Sequence, residues 1–298
     1  MTQSTFFATF MGCMVIEAFA AVQEGSVLGL SSKGIFLQVG TYILFITNAP
    51  YKSPFNIYVP GFSRLLDSLK QGEHFEVTPD SMYFKDSGAK VLLDNVETWT
   101  PGPPLAIDTN QASRRIRAAS LLDDIVKIDP NKGWIFLYTD RNRNRVELHL
   151  DSIKQRIWEG TQKFTEGYMK NEISQCLDAA GKLLGLGGGL TPSGDDWFAG
   201  FFLYLERFSL AGNTRPAFLD TLGSALLDLA SQKTTTISAN RIMAARRGWA
   251  EEPFLAVIDT LFSVEQQFDL GLVEVLIRFG HSSGVDTLLG IYAAIGCE

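Results

Sequence analysis

The chain has few cysteines, an excess of acidic over basic residues and no long uncharged apolar run. Each shortage excludes a class of protein. Its 298 residues include three cysteines, which lie far apart at Cys13, Cys176 and Cys297. Three distant cysteines form neither a CxxC zinc pair nor a disulfide framework, so we predict reduced thiols in a cytoplasmic protein. The 26 basic residues are outnumbered by 33 acidic ones, giving a formal charge of −7. This balance argues against a general nucleic-acid-binding protein, which needs a basic face.

The most continuous apolar segment lies near the beginning, over residues 6–22. Glu17 interrupts it and no basic residue precedes it, so we predict a buried first helix rather than a signal peptide. A membrane-spanning helix needs about 18 or more uncharged apolar residues, and no segment supplies them. We therefore expect a protein that does not associate with a membrane.

The pattern of apolar residues changes near residue 150, and this change predicts an α+β protein with two domains. Over residues 1–150, short apolar or β-branched runs between turn residues predict a β-barrel-like or sandwich-like domain with a first helix. Over residues 151–298, apolar residues recur at helical spacing and predict an α-helical domain. The predicted strands are 27–30, 35–39, 42–47, 56–59, 82–85, 90–93, 134–139 and 146–150. The predicted helices are 111–126, 152–168, 172–185, 194–209, 216–232, 238–248, 252–266, 270–279 and 285–296.

One pattern, Ser-Gly-x-Asp-x-x-x-Gly, occurs twice in the predicted helical domain. The copies are residues 193–200 and 283–290, and each continues into an apolar segment. Gly187-Gly188-Gly189 precedes the first copy, and Gly280-His281-Ser282 precedes the second. Each copy is typical of a loop that leads onto a helix N-terminus, where unpaired N–H groups attract anions. Two copies therefore predict two converging helix N-termini and a shared site.

A purely structural interpretation of each copy is a capping box, with the serine as N-cap and the aspartate three residues later. A cap does not explain Gly200 and Gly290, because glycine inside a helix costs about 1 kcal/mol relative to alanine. Close contact between the two helices would offset that cost. We therefore predict that Gly200 and Gly290 face each other at a helix crossing, with Asp196 and Asp286 at one cavity.

The candidate site residues divide by their chemistry. A phosphate or carboxylate would be held by the loop and helix-start residues Gly188, Gly189, Thr191, Ser193, Gly194, Ser282, Ser283 and Gly284, together with Ser238 and Arg241 from a third hydroxyl-rich helix start. Asp195, Asp196 and Asp286 would accept hydrogen bonds from substrate N–H groups. His281 and Arg241 would stabilise developing charge. The predicted catalytic residues are Asp195, Asp196, Asp286 and His281.

Two other interpretations remain open. The adjacent carboxylates of Asp195 and Asp196 repel each other unless a cation offsets the repulsion. Mg²⁺ would do so by bridging carboxylate and phosphate oxygens, and the chain would then be a metal-dependent hydrolase that also uses Asp286. Alternatively, the doubled motif only packs two helices, and the chain is a non-catalytic interaction subunit.

The segment from Leu186 to Asp196, followed by Gly200, resembles the signature of the AllH-type family of oxamate carbamoyltransferase subunits. Residues 279–290 resemble the second motif of the same family. The resemblance implies a subunit of a multi-subunit enzyme of purine and allantoin catabolism, which converts oxalurate and phosphate to oxamate and carbamoyl phosphate. It implies other subunits and a small anionic substrate as partners. The implied site residues are Gly189, Thr191, Ser193, Gly194, Asp195, Asp196, His281, Ser283, Gly284 and Asp286.

Overall fold

The computed structural model describes residues 4–140, 152–268 and 270–298, and the chain forms two compact units. The first unit is Met1–Pro101 and the second is Gly102–Glu298. The sequence-based ranges instead change at residue 150, which places the helix Gln111–Ile128 with the strands. Those domain ranges stay a prediction. The strand predicted over 146–150 lies outside the described residues.

The described part of the first unit forms one sheet that curls into a half-barrel. Its strands are β1 (Thr5–Phe7), β2 (Phe10–Gly12), β3 (Glu24–Ser31), β4 (Gly34–Val39), β5 (Tyr42–Thr47), β6 (Asn56–Tyr58), β7 (His74–Thr78), β8 (Ser81–Phe84), β9 (Lys90–Leu92) and β10 (Glu97–Trp99). Two helices, α1 (Cys13–Ala21) and α2 (Phe62–Ser68), accompany them. The strand order is β1-β9-β8-β7-β3-β4-β5-β6-β2-β10. With the helical second unit, this sheet confirms the α+β class that the sequence predicts.

The middle of the sheet is an antiparallel meander of β3, β4 and β5. Across β4 and β5, Ile35 pairs with Ile46 and Leu37 pairs with Leu44, and all four side chains are buried. Alternate residues of a strand point to opposite faces, so this register places one apolar set in the core. Gly40 joins the two strands with a φ of +56°, a backbone conformation that glycine adopts readily.

The first helix predicted over 6–22 is only partly correct, because two short strands occupy its beginning. β1 pairs with β9, and β2 pairs with β6 and β10, so the helix begins only at Cys13. Phe6 is buried between the exposed residues Thr5 and Phe7, which is the alternation of a strand. Pairing with strands far along the chain therefore overrides the apolar run that favours a helix.

The second unit is helical throughout its described elements, and each helix predicted from residue 152 onward is present. Its helices are α3 (Gln111–Ile128), α4 (Phe136–Thr139), α5 (Ser152–Met169), α6 (Ile173–Leu183), α7 (Ser193–Gly212), α8 (Ala217–Lys233), α9 (Thr236–Ala245), α10 (Glu252–Phe262), α11 (Leu270–Arg278) and α12 (Ser283–Ile295). No described helix is both long and apolar enough to cross a membrane.

The strand predicted over 134–139 is wrong, because this segment ends in the short helix α4. Trp134, Ile135 and Phe136 are all buried, so the run does not alternate between core and solvent. A short continuous apolar run does not distinguish a buried strand from a buried helical turn by its period. Local bonding decides the outcome, since the N–H of Thr139 donates to Ile135 O.

Helix α7 lies at the centre of the second unit. Its side chains Trp197, Phe198 and Phe201 are buried, and each ring makes an edge contact with Phe164 of α5. Sixteen of its twenty residues are buried, so nearly every face of the helix packs against other parts of the protein. The N-terminus of α7, which carries the first copy of the motif, is therefore held inside the helical unit.

Candidate functional site

The two copies of the motif meet at the crossing of α7 and α12. A Cβ atom at Gly200 would lie 1.9 Å from the Thr287 carbonyl oxygen, and one at Gly290 would lie 2.0 Å from the Trp197 carbonyl oxygen. The contact is reciprocal, because the last glycine of each motif meets the carbonyl of the fifth motif residue on the other helix. Such mutual contact is the mark of a local twofold arrangement. The predicted contact through Gly200 and Gly290 is confirmed.

The loops before the two helices also bond to each other. The Thr191 and Ser283 hydroxyl oxygens lie 2.9 Å apart, and those of Ser193 and Ser282 lie 3.4 Å apart. The N-cap of α7 is Pro192 and that of α12 is Ser282, and neither makes a side-chain cap hydrogen bond. The capping-box interpretation is therefore wrong, because the hydroxyls link the two helix starts instead of closing their own first turns.

Helix α9 contributes a third N-terminus to the same place. The Thr235 hydroxyl donates to Leu190 O at 2.8 Å, and the Thr234 hydroxyl donates to a carboxylate oxygen of Asp195. One turn into α9, the Arg241 guanidinium forms an ion pair with Asp196. The hydroxyl-rich helix start and the arginine that the sequence singles out are thus joined to the first copy of the motif.

Most N–H groups at the start of α7 already donate within the chain. The N–H of Gly194 donates to Leu186 O at 3.0 Å, and those of Asp195 and Asp196 donate to Pro192 O at 2.9 Å and 3.1 Å. At the start of α12, the N–H of Gly284 donates to Phe279 O at 3.2 Å. An anion bound at these helix ends would therefore find fewer free donors than the motif suggests.

Asp195 is buried and ties three segments together. One carboxylate oxygen, Oδ1, accepts the Gly185 N–H at 2.8 Å, and the other accepts the Thr234 hydroxyl. Burial raises the pKa of Asp195, and the hydrogen bond from Thr234 opposes that shift. Both oxygens already accept bonds within the chain, so this carboxylate supports the loop before α7.

Asp196 is fully buried and keeps one oxygen without a partner. Its Oδ1 pairs with Arg241, whose Nε lies 3.4 Å from Glu251 Oε1. Its Oδ2 is buried and makes no hydrogen bond of normal geometry among the described residues, although the Ser283 and Thr191 hydroxyls are near enough to lower the pKa of this carboxyl. Burial raises the pKa of Asp196 to about 7, although the charge of Arg241 lowers it. An unpaired buried acceptor is costly, so this oxygen is a strong candidate for contact with a ligand.

Asp286 repeats this arrangement at the equivalent position of the second copy. Its Oδ1 accepts the Trp134 N–H at 2.7 Å, while its Oδ2 is buried and has no partner in the described ranges. Burial raises the pKa of Asp286 to about 6, and the Trp134 N–H opposes the shift. The charge of Asp286 also raises the pKa of Asp196, so the two carboxylates lie close enough to interact.

The turn at Gly133 and Trp134 is a part of the site that sequence reasoning missed. Gly133 has a φ of +53°, and a Cβ there would lie 2.3 Å from Asp286 Oδ1. The turn is 152 residues from Asp286 along the chain, and it presents a main-chain N–H, which no side-chain motif reveals. Glu251, the second partner of Arg241, was also missed, since a single glutamate at a helix start is ordinary.

Two further hydroxyls near the motif lack partners. Ser238 and Thr287 are each 1% exposed, and within the described part of the chain neither hydroxyl oxygen makes a hydrogen bond. Ser238 lies in the first turn of α9, and Thr287 directly follows Asp286. With the carboxylate oxygens of Asp196 and Asp286, they form a set of four buried polar groups that are not satisfied within the described chain.

The glycine-rich loop and His281 lie on the surface. Gly187, Gly188, Gly189 and Leu190 are exposed, and a Cβ at Gly188 or Gly189 would meet nothing within 4 Å. Gly187 and Gly189 adopt φ values of +133° and +91°, so glycine is required by conformation there. His281 is exposed beside the start of α12. The structure thus places these candidates at the rim, and Asp196 and Asp286 inside.

The residues present do not fit the Mg²⁺ ion that the sequence leaves open at Asp195 and Asp196. Both oxygens of Asp195 accept hydrogen bonds, and Asp196 pairs with Arg241. Across the described ranges, no group of three or more His, Cys, Asp or Glu side chains could hold a metal ion. Mg²⁺ requires an octahedral set of oxygen ligands, which this pair does not offer.

Comparison with known protein families gives a match inside the helical unit. Residues 183–295 match the family model described as oxamate carbamoyltransferase subunit AllH. The matched range runs from the last residue of α6 to the last residue of α12, so it contains both copies of the motif and α9. No solved structure matches the chain. Residues 183–295 are therefore similar to the AllH subunit of oxamate carbamoyltransferase, and the match supports an AllH-like assignment for that part of the chain.

Proposed function

We propose that the chain is a subunit of an oxamate carbamoyltransferase-type complex and binds a small anionic, amide-bearing ligand where α7, α9 and α12 begin. The complex would convert oxalurate and phosphate to oxamate and carbamoyl phosphate. The family match supports the subunit role, and the partners would be the other subunits of that complex.

One observation carries the proposed site: the Oδ2 atoms of Asp196 and Asp286 are both buried and make no hydrogen bond in the described chain. The two carboxyl groups are near enough for the charge of Asp286 to raise the pKa of Asp196. A buried carboxylate oxygen that lacks a hydrogen bond costs about 1–3 kcal/mol or more. A ligand that donates N–H groups to both oxygens would remove this cost. The amide groups of oxalurate, oxamate and carbamoyl phosphate are donors of this kind.

The proposed reaction divides the work among named residues. A phosphate oxygen forms a bond to the carbamoyl carbon, the bond from that carbon to the oxamate nitrogen breaks, and the nitrogen takes up the proton of the phosphate. Asp196 and Asp286 would orient the carbamoyl NH₂ group. The N-terminal ends of α7 and α12 would favour negative charge that develops on the carbamoyl oxygen. His281 at the rim would contact the second substrate.

The test is carbamoyl phosphate formation by this chain co-purified with its partner subunits. Asp196→Asn and Asp286→Asn should each lower the rate by about 100-fold, the usual size for loss of a group that positions or stabilises reacting atoms. Asp178→Asn is the matched control, because it removes one carboxylate from an exposed position on α6. Full activity in both site variants, with the proteins folded, would show that these aspartates do not serve the reaction.

A non-catalytic interaction subunit is favoured by a different observation. Close packing explains both glycines of each motif without any ligand, since Cβ atoms at Gly194 and Gly284 would lie 2.0 Å and 1.9 Å from the carbonyls of Leu183 and Leu276. On this alternative the chain would still co-purify with its partners. It is supported if the complex forms and works normally while Asp196 and Asp286 are both replaced by asparagine.

A further inference from the structure

The charges around the two unpartnered oxygens are mainly negative. Among the described residues, the buried carboxylates of Asp195 and Asp196 interact with the Arg241 guanidinium, which Glu251 shares. The charge of His281, at the exposed rim, acts on Asp286. The Arg241 side chain is 11% exposed, and its Cζ atom lies 5.8 Å and 5.7 Å from the ring centres of Phe254 and Phe279. The cation is therefore already paired with carboxylates and held between aromatic rings.

The helix ends do not reverse this imbalance. Three of the first four N–H groups of α7 donate to loop carbonyls, and the hydroxyls of Thr191 and Ser283 bond to each other. A dianion such as phosphate would need several free donors or an uncommitted cation to replace its water shell. The N-terminal end of α7 therefore lacks most of these donors, and at the start of α12 the Gly284 N–H already donates to Phe279 O.

We propose that the Asp196–Asp286 pair recognises the N–H groups of a primary amide or ureido ligand, and that this chain does not bind inorganic phosphate by itself. The inference rests on the proposed function. It assigns the two substrates of the complex to different subunits: the carbamoyl-bearing ligand binds to this chain, and the phosphate binds to a partner subunit. Each Oδ2 accepts one N–H of the ligand.

The site should select for N–H groups, because a ligand without them would leave the two buried carboxylate oxygens without hydrogen bonds. Above the pKa values of Asp196 and Asp286, about 7 and about 6, an oxygen in place of the NH₂ group would face two carboxylate oxygens that have no proton to donate. Sites built to bond an N–H or O–H group reject analogues that lack it by about 10⁴–10⁵. This estimate applies to fully formed sites, so we expect discrimination of at least about tenfold in the isolated chain.

The experiment compares three small organic probes by calorimetric titration of the full chain, and inorganic phosphate, which should give no heat of binding, is titrated alongside them. Oxamate carries the NH₂ group, oxalate replaces it with an oxygen of similar size, and N,N-dimethyloxamate keeps the single negative charge without any N–H. Oxamate should bind at least about tenfold more tightly than either analogue. Asp196→Asn and Asp286→Asn should remove this preference, while Asp178→Asn, on exposed α6 surface, should keep it.

Three results would overturn the inference: binding of oxalate as tight as that of oxamate, no binding of oxamate by the folded chain, or binding of inorganic phosphate that Asp196→Asn leaves unchanged. These outcomes are separable from the activity of the complex. If the complex forms carbamoyl phosphate but the isolated chain prefers phosphate, the proposed function stands and the amide recognition is wrong. If the chain prefers oxamate and the complex is inactive with oxalurate, the recognition stands and the reaction is wrong.

Discussion

The crossing of α7 and α12 makes a sharp prediction for Gly200→Ala. The new Cβ would lie 1.9 Å from the Thr287 carbonyl oxygen and 2.8 Å from its carbon, whereas ordinary contacts are 3.4–4 Å. Both atoms belong to the main chain, so no side chain can rotate away. The two helix backbones must therefore separate by about 1.5 Å at this point, in a core that is closely packed.

The cost can be set against the gain in helix propensity. Overpacking of a core costs about 1–3 kcal/mol or more, and alanine in place of glycine inside a helix returns about 1 kcal/mol. Because the clash is with main-chain atoms, we expect Gly200→Ala to lower the free energy of unfolding by about 2 kcal/mol. Gly290→Ala should cost a similar amount, and the double variant less than the sum, because one separation relieves both clashes.

Urea unfolding followed by tryptophan fluorescence measures this effect, since Trp197 lies at the crossing. Gly181→Ala is the matched control: it lies in α6, and its Cβ would meet only a side-chain atom of Leu229 at 4.0 Å. That variant should gain up to about 1 kcal/mol from helix propensity alone. If Gly200→Ala were as stable as Gly181→Ala, the close contact between the two copies of the motif would be wrong, and the shared site with it.

Three other predictions concern the polar groups. Gly133→Ala should weaken oxamate binding at least about tenfold without unfolding the protein, because its Cβ would displace Asp286; unchanged affinity in calorimetry would contradict the role of this turn. The free energy of unfolding should fall as pH rises from about 4 to about 7. The folded pKa values of Asp196 and Asp286, about 7 and about 6, lie above the unfolded value of 3.8. Unfolding therefore releases protons in this range, and a higher pH favours the unfolded state. Urea unfolding measured across that range should show that the free energy of unfolding depends less steeply on pH when both residues are changed to asparagine. An equally steep dependence in this variant would show that the two carboxyl groups do not cause the loss of stability. Asp195→Asn should speed limited proteolysis before α7, because it weakens the bonds to Gly185 and Thr234; an unchanged cleavage rate would show that the loop does not depend on this carboxylate.

The helical half was largely predictable from the sequence because its signals are local. Apolar residues at helical spacing give α5 to α12, and the unexplained interior glycines Gly200 and Gly290 predict the crossing. The motif thus identified the helix starts that meet. The same local signals misjudged the capping of α7 and α12, because a hydroxyl next to a helix start bonds equally well to a neighbouring loop.

The remainder depends on pairing between distant segments, which no short pattern records. The strands β1 and β2 form because their partners β9, β6 and β10 exist elsewhere, although the run itself favours a helix. Trp134 reaches Asp286 through a main-chain N–H, and Arg241 is shared with Glu251. The sequence places Asp195 next to Asp196, which suggests a metal site. In the structure both oxygens of Asp195 accept hydrogen bonds, from Gly185 and Thr234, so this carboxylate supports the loop instead.

The reciprocal contact between the two motifs bears on the orientation in which a ligand could bind. If the two halves of the site were identical, an asymmetric ligand could bind in either of two orientations, and only one of these could lead to reaction. Arg241 beside Asp196 and the Trp134 amide beside Asp286 make the halves unequal, one cationic and one neutral. On the proposed function, these two groups, which lie outside the repeated motif, would set the orientation in which the ligand binds.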